Sequence, residues 1–527
     1  MTQTISEDSC SLEVELKFEF TRQDLRKLSR SSAFKALQIE TPVKRTMRAI
    51  YYDTPDLSLF KRELSLRVRK ESRKYVQCCK SKAVAHNASV DTFSRQEWQW
   101  KLKKKDLDIK LIDKDKELCQ LFKGIDLATL EPLFSTTIKR QTRLLETSGG
   151  AKVRCDIDQG VIESGENKSK IFELELELES GPVNELLELA CLVTSIVPAR
   201  ISSRTKALKG YNLFLDGTLK NWVKAQPLNF LPSATAEQVL NLSLVENLKH
   251  LISNEDCVLE QSHIEGVHQM RVALRRMRAI LSSFSGALPK APTAILSSAF
   301  KEVGENLSLA RDYDVFLSEI LLQAEMAMGS DHRFKILRKL AEQQQILAYD
   351  KAQKTIQSPL YATLLTNLLH WIGSTPWVTE NSNPLAVPAH DFAFNLLEKR
   401  HLDLIHQGQK LVEMSESQRH LLRISIKKMR YTADAFSPLY SHKKHQEYLG
   451  MLRELQDRLG GLNDLTMSKR IFEHLKKEAQ GDKKDIVQVS KLIKKWHKQT
   501  RQTDEPGLLK AWSVFLNGQK FWTEHGL

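Results

Sequence analysis

Three runs of alternating charge constrain this chain more than anything else in it. Leu12-Glu-Val-Glu-Leu-Lys-Phe18 puts Glu13, Glu15 and Lys17 on one face of an extended strand and Leu12, Val14, Leu16 and Phe18 on the other. Leu64-Ser-Leu-Arg-Val-Arg69 does the same with Arg67 and Arg69, and Phe172-Glu-Leu-Glu-Leu-Glu-Leu-Glu179 with four carboxylates. One such run alone is an ordinary strand with a wet face. Like charges two residues apart repel, however, and the pattern recurs. A closed sheet that turns these faces inward needs cations for the glutamates and an anion for the arginines. A polyanion bound through divalent metal meets both needs.

The grammar changes part-way along. Period-two runs recur at 12–20, 47–53, 64–70, 75–80, 94–102, 134–145, 152–163 and 171–179, with helical interludes at 22–31, 57–62 and 183–195. Eight strands with one charged face predict a closed or nearly closed antiparallel barrel, which removes edge strands. Residues 217–235, with Gly217, Pro227, Pro232 and Ser233, read as a linker. From about residue 236 the periodicity is helical. The fold class is therefore α+β, an eight-stranded antiparallel β barrel over 1–216 followed by an all-α domain over 236–515. The linker predicts that the halves separate near residue 225.

The helical half repeats itself. His268, Arg271, Arg275, Arg276, Met277 and Arg278 return as His420, Arg423, Lys427, Lys428, Met429 and Arg430 at an offset of 152, and the same offset carries Leu307 to Leu459, Arg311 to Asn463 and Asp312 to Asp464. One offset in two separate segments implies duplicated helical bundles. At ~100° per residue, His268, Arg271, Arg275 and Arg278 fall within about 80° of one another, opposite Leu274, Met277 and Leu281. Each copy offers a cationic stripe and a core face. A solvated charged face and an anion site both remain open readings of the stripe.

Seven scattered cysteines without a CxxC pattern argue for a reducing compartment and against a zinc or disulfide framework. No apolar run reaches about 18 residues, and the first residues lack the pattern of a signal peptide, so a cytoplasmic location and no membrane partner are expected. The net charge of +14 draws anions generally and does not choose among nucleic acid, membrane and polyphosphate.

The motifs resemble two known modules. The first half is similar to a CYTH domain of the triphosphate tunnel metalloenzyme family. The resemblance rests on Glu13-x-Glu15-x-Lys17, Tyr52-Asp-Thr-Pro55, Leu66-Arg-Val-Arg69, Lys80, Ser94-Arg-Gln-Glu97, Phe134-Ser-Thr with Arg140, Asp158-Gln-Gly160, Glu173-x-Glu175-x-Glu177, and Ser203-Arg-Thr-Lys206 leading to Lys209-Gly-Tyr211. The second half resembles a CHAD domain through His268-x-x-Arg271, Ala310-Arg-Asp-x-Asp314, Leu455-Gln-Asp-x-Leu-Gly460 and Leu462-Asn-Asp464. The modules in this order resemble bacterial inorganic triphosphatases. The pair Cys78-Cys79 departs from the family, which usually has a Thr and an apolar residue before the lysine. Lys101–Asp115 and residues 480–527 match no motif.

The resemblance implies metal-dependent hydrolysis of inorganic triphosphate to diphosphate and phosphate. It implies Mg²⁺ or Mn²⁺ on Glu13, Glu15, Glu173 and Glu175, with Glu97, Asp158 and Glu177 joining them; hard oxygen ligands suit these ions. Lys17, Arg67, Arg69, Lys80, Arg95, Arg140 and Lys206 would grip the phosphates. The stripes His268, Arg271, Arg275, Arg278 and His420, Arg423, Lys427, Arg430 would bind polyphosphate. The alternatives are a class IV adenylate cyclase or thiamine triphosphatase, which share the tunnel, and a non-enzymatic polyphosphate-binding scaffold. No aromatic platform for RNA is evident, so no specific nucleic acid is expected.

Overall fold

The computed structural model of the chain describes residues 11–12, 14–82, 95–219, 221–329, 331–459, 461–479, 483–500 and 505–523, with backbone alone at 11–12, 82, 95, 461–466 and 497–500. It divides into two compact units: residues 1–220 with 357–375, and residues 221–356 with 376–527.

The first unit is a sheet of β1 (Ser11–Leu12), β2 (Glu15–Glu19), β3 (Val43–Asp53), β4 (Ser65–Glu71), β5 (Lys74–Lys82), β6 (Arg95–Leu102), β7 (Glu131–Glu146), β8 (Lys152–Ser164), β9 (Asn167–Ser180) and β10 (Arg200–Ile201). The order is β1-β6-β5-β4-β3-β7-β8-β9-β2-β10, and every pairing is antiparallel. Ser11 faces Glu97 on β6, while Glu15, four residues on, faces Glu177 on β9. The segment 11–19 thus bridges the two edges and closes the sheet. Counted as one strand, it makes eight long strands with the short β10 added, and the closed antiparallel expectation holds.

Two stretches that the sequence left unexplained belong to the framework. Lys101–Asp115 supplies a cover for β4–β6. Its Ile112 packs with Leu66, Cys79 and Trp98, the Gln77 amide exchanges hydrogen bonds with the Asp108 backbone at 2.8 and 3.0 Å, and Trp98 Nε1 donates to Asp115 at 3.1 Å. The Tyr52-Asp-Thr-Pro55 motif is a joint. Fully buried Asp53 accepts from the backbone N–H groups of Thr54, Leu59 and Phe60 at 2.7–2.9 Å and from the Tyr211 hydroxyl at 2.7 Å. A carboxylate with this many charge-assisted bonds holds the short helix Ser58–Lys61 and the helix Lys206–Phe214 in fixed relation.

The helix Pro359–Gly373 also belongs to the first unit. It lies against the helix Val183–Ile196, which follows β9. Thr194 and Thr366 hydroxyls meet at 3.0 Å inside this contact. A Cβ on Gly373 would stand 2.4 Å from Asn184 Oδ1 and 2.6 Å from Leu187 Cδ1, so only glycine permits the approach. A fragment ending at residue 220 lacks this helix. Gly373→Val is expected to destabilise the first unit by about 1–3 kcal/mol through overpacking. Denaturant unfolding followed by tryptophan fluorescence measures this; an unchanged midpoint would show that the contact contributes nothing.

The second unit is helical. Thr235 and Ser415 open the helices Ala236–Ile252 and Glu416–Ala435 with reciprocal capping boxes to Gln238 and Gln418. The duplication is visible in its hydrogen bonding. Arg271, on the helix Glu265–Ser283, donates to the Gly304 carbonyl, and Arg423 donates to the Gln456 carbonyl at 3.2 Å. Both donor and acceptor are displaced by the offset of 152 found in the sequence. The described part of the unmatched C-terminus is core: Trp522 and Phe515 are buried around His401 and Tyr448, and Trp522 Nε1 donates to Glu398 at 3.0 Å.

Candidate active site

Register decides which side chains share the inner face. Across β2, β9, β8 and β7 the partners run Lys17–Glu175–Asp156–Thr142 and Glu19–Glu173–Asp158–Arg140. Across β4, β5 and β6, Arg67 faces Cys78, and Lys80 faces Glu97. Directly opposed residues point to the same side of a sheet, so the alternating charge of the separate runs converges.

The densest convergence is around Glu173. Asp158, Glu173 and Glu175 each offer an oxygen within 4.8 Å of the others, the one group of this kind among the described residues. Lys206 Nζ stands between them, 2.8 Å from Asp158, 2.9 Å from Glu173 and 2.7 Å from Glu175. Lys17 Nζ lies 2.9 Å from Glu173 Oε2, and Lys209 Nζ 2.6 Å from its Oε1. Arg140 bonds Asp158 through Nε and Nη2 at 2.7 and 2.6 Å, Asp156 at 2.6 Å and Glu175 at 2.6 Å. Side chains of Asp158 and Glu173 are 0% exposed.

Charge here is set by neighbours against burial. Burial opposes ionisation of Glu173 and Glu175, yet Lys206 above all, with Lys17 and Lys209 at Glu173 and Arg140 at Glu175, pulls both carboxyls down, Glu173 to about 2. Burial likewise opposes the Lys206 charge, and Asp158, Glu173 and Glu175 more than restore it. At Lys17 burial wins, helped by Lys206 and Lys209, and the ammonium falls below its usual value. Across the sheet Glu97 is pulled down to about 2: burial opposes its charge, and Lys80, at 2.7 Å, and Arg67 outweigh it.

The donors suit a hard divalent cation. All three are carboxylates, and Glu173 Oε2, although within 2.9 Å of two ammonium groups, accepts no aligned hydrogen bond. Three of the expected metal residues meet here. Glu15 and Glu177 face each other one register step along, with Glu177 paired to Arg154. Glu97 is held by Lys80 and, at 3.8 Å, by Arg67, apart from the group of three. Arg69 is paired with Glu71 at 2.6 Å. Glu13 and the Arg95 side chain lie outside the described residues.

In the second unit the helices Glu265–Ser283 and Glu416–Ala435 pack together and bring cations of the two stripes close. Lys427 is pulled down to about 8 by burial and then by Arg423, Arg275, Arg430 and Arg271, drawn from both copies. His268 falls to about 4 through burial and Arg311, with Arg275 and Arg271 adding, so it is neutral at physiological pH. Carboxylates are sparse: Asp312 meets Arg470 at 3.2 Å, and Asp434 meets Arg276 at 3.4 Å. Asn463 and Asp464 of the repeat have no described side chains.

The CYTH domain family matches residues 11–211, and the CHAD domain family matches residues 243–473. The chain is a CYTH–CHAD protein. A curated relative, the inorganic triphosphatase of Haemophilus influenzae, is 32% identical over 181 residues; the match covers 33% of this chain and about half, 47%, of that protein. A solved structure, the CHAD domain from the plant Ricinus communis, aligns with a TM-score of 0.50 at 23% identity, covering 58% of this chain and 98% of that one. That likeness speaks for the fold of the helical unit.

Several residues of the CYTH site were missed by reading motifs alone. Asp156 and Glu19 sit two positions from Asp158 and Lys17, so strand period predicts their shared face. Lys209 follows Lys206 by nearly one helical turn. Gly210 brings that helix in: a Cβ there would lie 2.0 Å from Phe134 Cε2. In the CHAD unit no three metal-capable side chains converge on His268 among the described residues.

Proposed function

We propose that the CYTH unit hydrolyses inorganic triphosphate to diphosphate and phosphate with Mg²⁺ or Mn²⁺, and that the CHAD unit binds polyphosphate. The observation that supports the first reading is the meeting of Asp158, Glu173 and Glu175 with Lys17, Arg140, Lys206 and Lys209 on one inner face. In this reading Asp158, Glu173 and Glu175 would hold the cation, with Glu15 and Glu177 at its margin. A divalent ion held there would supply the positive charge that lets phosphate oxygens approach the carboxylates.

The rest falls to the chain's own groups. Lys17, Lys206 and Arg140 exchange their carboxylate partners for phosphate oxygens as substrate enters. Arg67, Arg69 and Lys80 approach from the β4–β5 wall, and the guanidinium forks fix phosphate orientation. Arg95 would join them from β6. Attack by water forms one P–O bond at the terminal phosphorus and breaks the anhydride bond, so that diphosphate leaves. Cations fixed around the leaving oxygens stabilise the charge that develops there.

Phosphate release from triphosphate, ATP, thiamine triphosphate and long-chain polyphosphate tests the assignment. Triphosphate is expected to be turned over fastest. Preference for ATP with cyclic nucleotide as product would replace this reading with a cyclase, and preference for thiamine triphosphate with a thiamine triphosphatase. No helix among the described residues is long and apolar enough to cross a membrane.

A further inference from the structure

A cavity of about 810 Å³ opens in the helical unit between the helices Glu265–Ser283, Ala389–Gly408 and Glu416–Ala435. It is not part of the cationic stripes. At ~100° per residue, its lining residues Ser425 and Lys428 lie about 180° and 120° around their helix from the centre of His420, Arg423, Lys427 and Arg430. Its volume falls in the range of about 300–1,000 Å³ typical of small-molecule sites.

Arg400 is the group that the fold leaves unexplained. It lines this cavity, and burial pulls its guanidinium below the usual value, with the charge of Asp403, another lining residue, opposing. Its Nη2 donates to Ser283 Oγ at 3.1 Å, while its Nε is buried without any partner. Among the described residues no carboxylate is paired with it. A half-buried guanidinium held by one neutral hydroxyl keeps donors free for an anion entering the cavity.

The remaining lining narrows the ligand. Lys399 and Lys428 add positive charge, while Asp391 and Asp403 subtract it. Three cations against two acids suit a monoester phosphate better than a long polyanion, which would meet both carboxylates. The acids can accept from ligand hydroxyl or amino groups. Phe392 forms part of the wall and is fixed by stacking on Phe284, ring centroids 4.6 Å apart and 18° from parallel. An aromatic wall beside a cationic corner suits a planar ring joined to an anion.

We propose that this cavity binds a small organic phosphate bearing a planar ring, of nucleoside-monophosphate size. Phosphate sits at Arg400 with Lys428 and Lys399 at the rim, and the ring lies against Phe392. Nothing in this depends on what the tunnel hydrolyses.

Calorimetric titration of the full chain with AMP, adenosine and inorganic phosphate tests it. AMP is expected to bind, and adenosine and phosphate each about tenfold or more weaker. Arg400→Gln should weaken AMP by about tenfold or more, as loss of a charge-assisted contact does. Asn395→Trp, at an exposed position on the cavity wall, should block AMP sterically without touching the core; it also decides the matter if Arg400→Gln folds poorly. Triphosphate turnover should be unchanged in both variants. Absence of AMP binding, or binding that survives Asn395→Trp, overturns the proposal.

Discussion

Glu175→Ala is expected to lower kcat for triphosphate by about 10² or more while the protein stays folded, the scale on which losing a transition-state electrostatic contact is felt. Glu175 touches both Lys206, at 2.7 Å, and Arg140, at 2.6 Å, and contributes an oxygen to the cation group. Its removal leaves Lys206 with Asp158 and Glu173 and Arg140 with Asp158 and Asp156, each one acidic partner short, and takes away one metal donor. The two consequences differ in sign for substrate binding. Less neutralised cations tighten a polyanion; a lost donor weakens the metal. The variant should therefore lose kcat more than it raises KM. A near-normal kcat would return Glu175 to a structural ion pair across the barrel wall.

Charge reversal at Arg271 and Arg423 together should abolish binding of long-chain polyphosphate to the whole chain and leave triphosphate turnover intact. The stripes converge closely enough for Lys427 to feel Arg271 and Arg275 of the other copy. A flexible polyanion bridging both copies relieves this repulsion, and its affinity should fall steeply with salt as counterions are released, by analogy with nucleic acids. Each arginine also donates to a backbone carbonyl, Gly304 or Gln456. Thermal unfolding must therefore be followed beside the binding assay. Intact binding in a folded double variant, or equal affinity for single-stranded RNA of similar length, would make the stripe a generic basic surface.

Much of this was legible in the sequence, for physical reasons. Strand period two is rigid, so the inner face of β2, β4 and β9 could be read from Glu15, Arg67 and Glu173 directly. The duplication was legible because one offset carried separate segments, and Arg271–Gly304 and Arg423–Gln456 repeat it in hydrogen bonds. What could not be read depends on contacts between distant residues. Tyr52-Asp-Thr-Pro55 could be read only as a motif, and its Asp53 serves as a joint to Tyr211, 158 positions away. The charged stretch after Lys101 hides Ile112, one buried side chain among exposed lysines. The helix Pro359–Gly373 lies far along the chain within the helical half, and only packing assigns it to the first unit. Lys206 was expected at phosphate, but its grip on Asp158, Glu173 and Glu175 follows from geometry alone.

The central claim is that clustered carboxylates and cations act together on a metal-bound polyanion. Phosphate release from triphosphate, measured first in excess chelator and then after restoring Mg²⁺ or Mn²⁺, tests it most directly. Turnover should vanish in chelator and return with the metal, and Glu173→Gln should blunt the return. Undiminished turnover in chelator would contradict the account, because Asp158, Glu173 and Glu175 would then serve only to pair with Lys17, Arg140, Lys206 and Lys209.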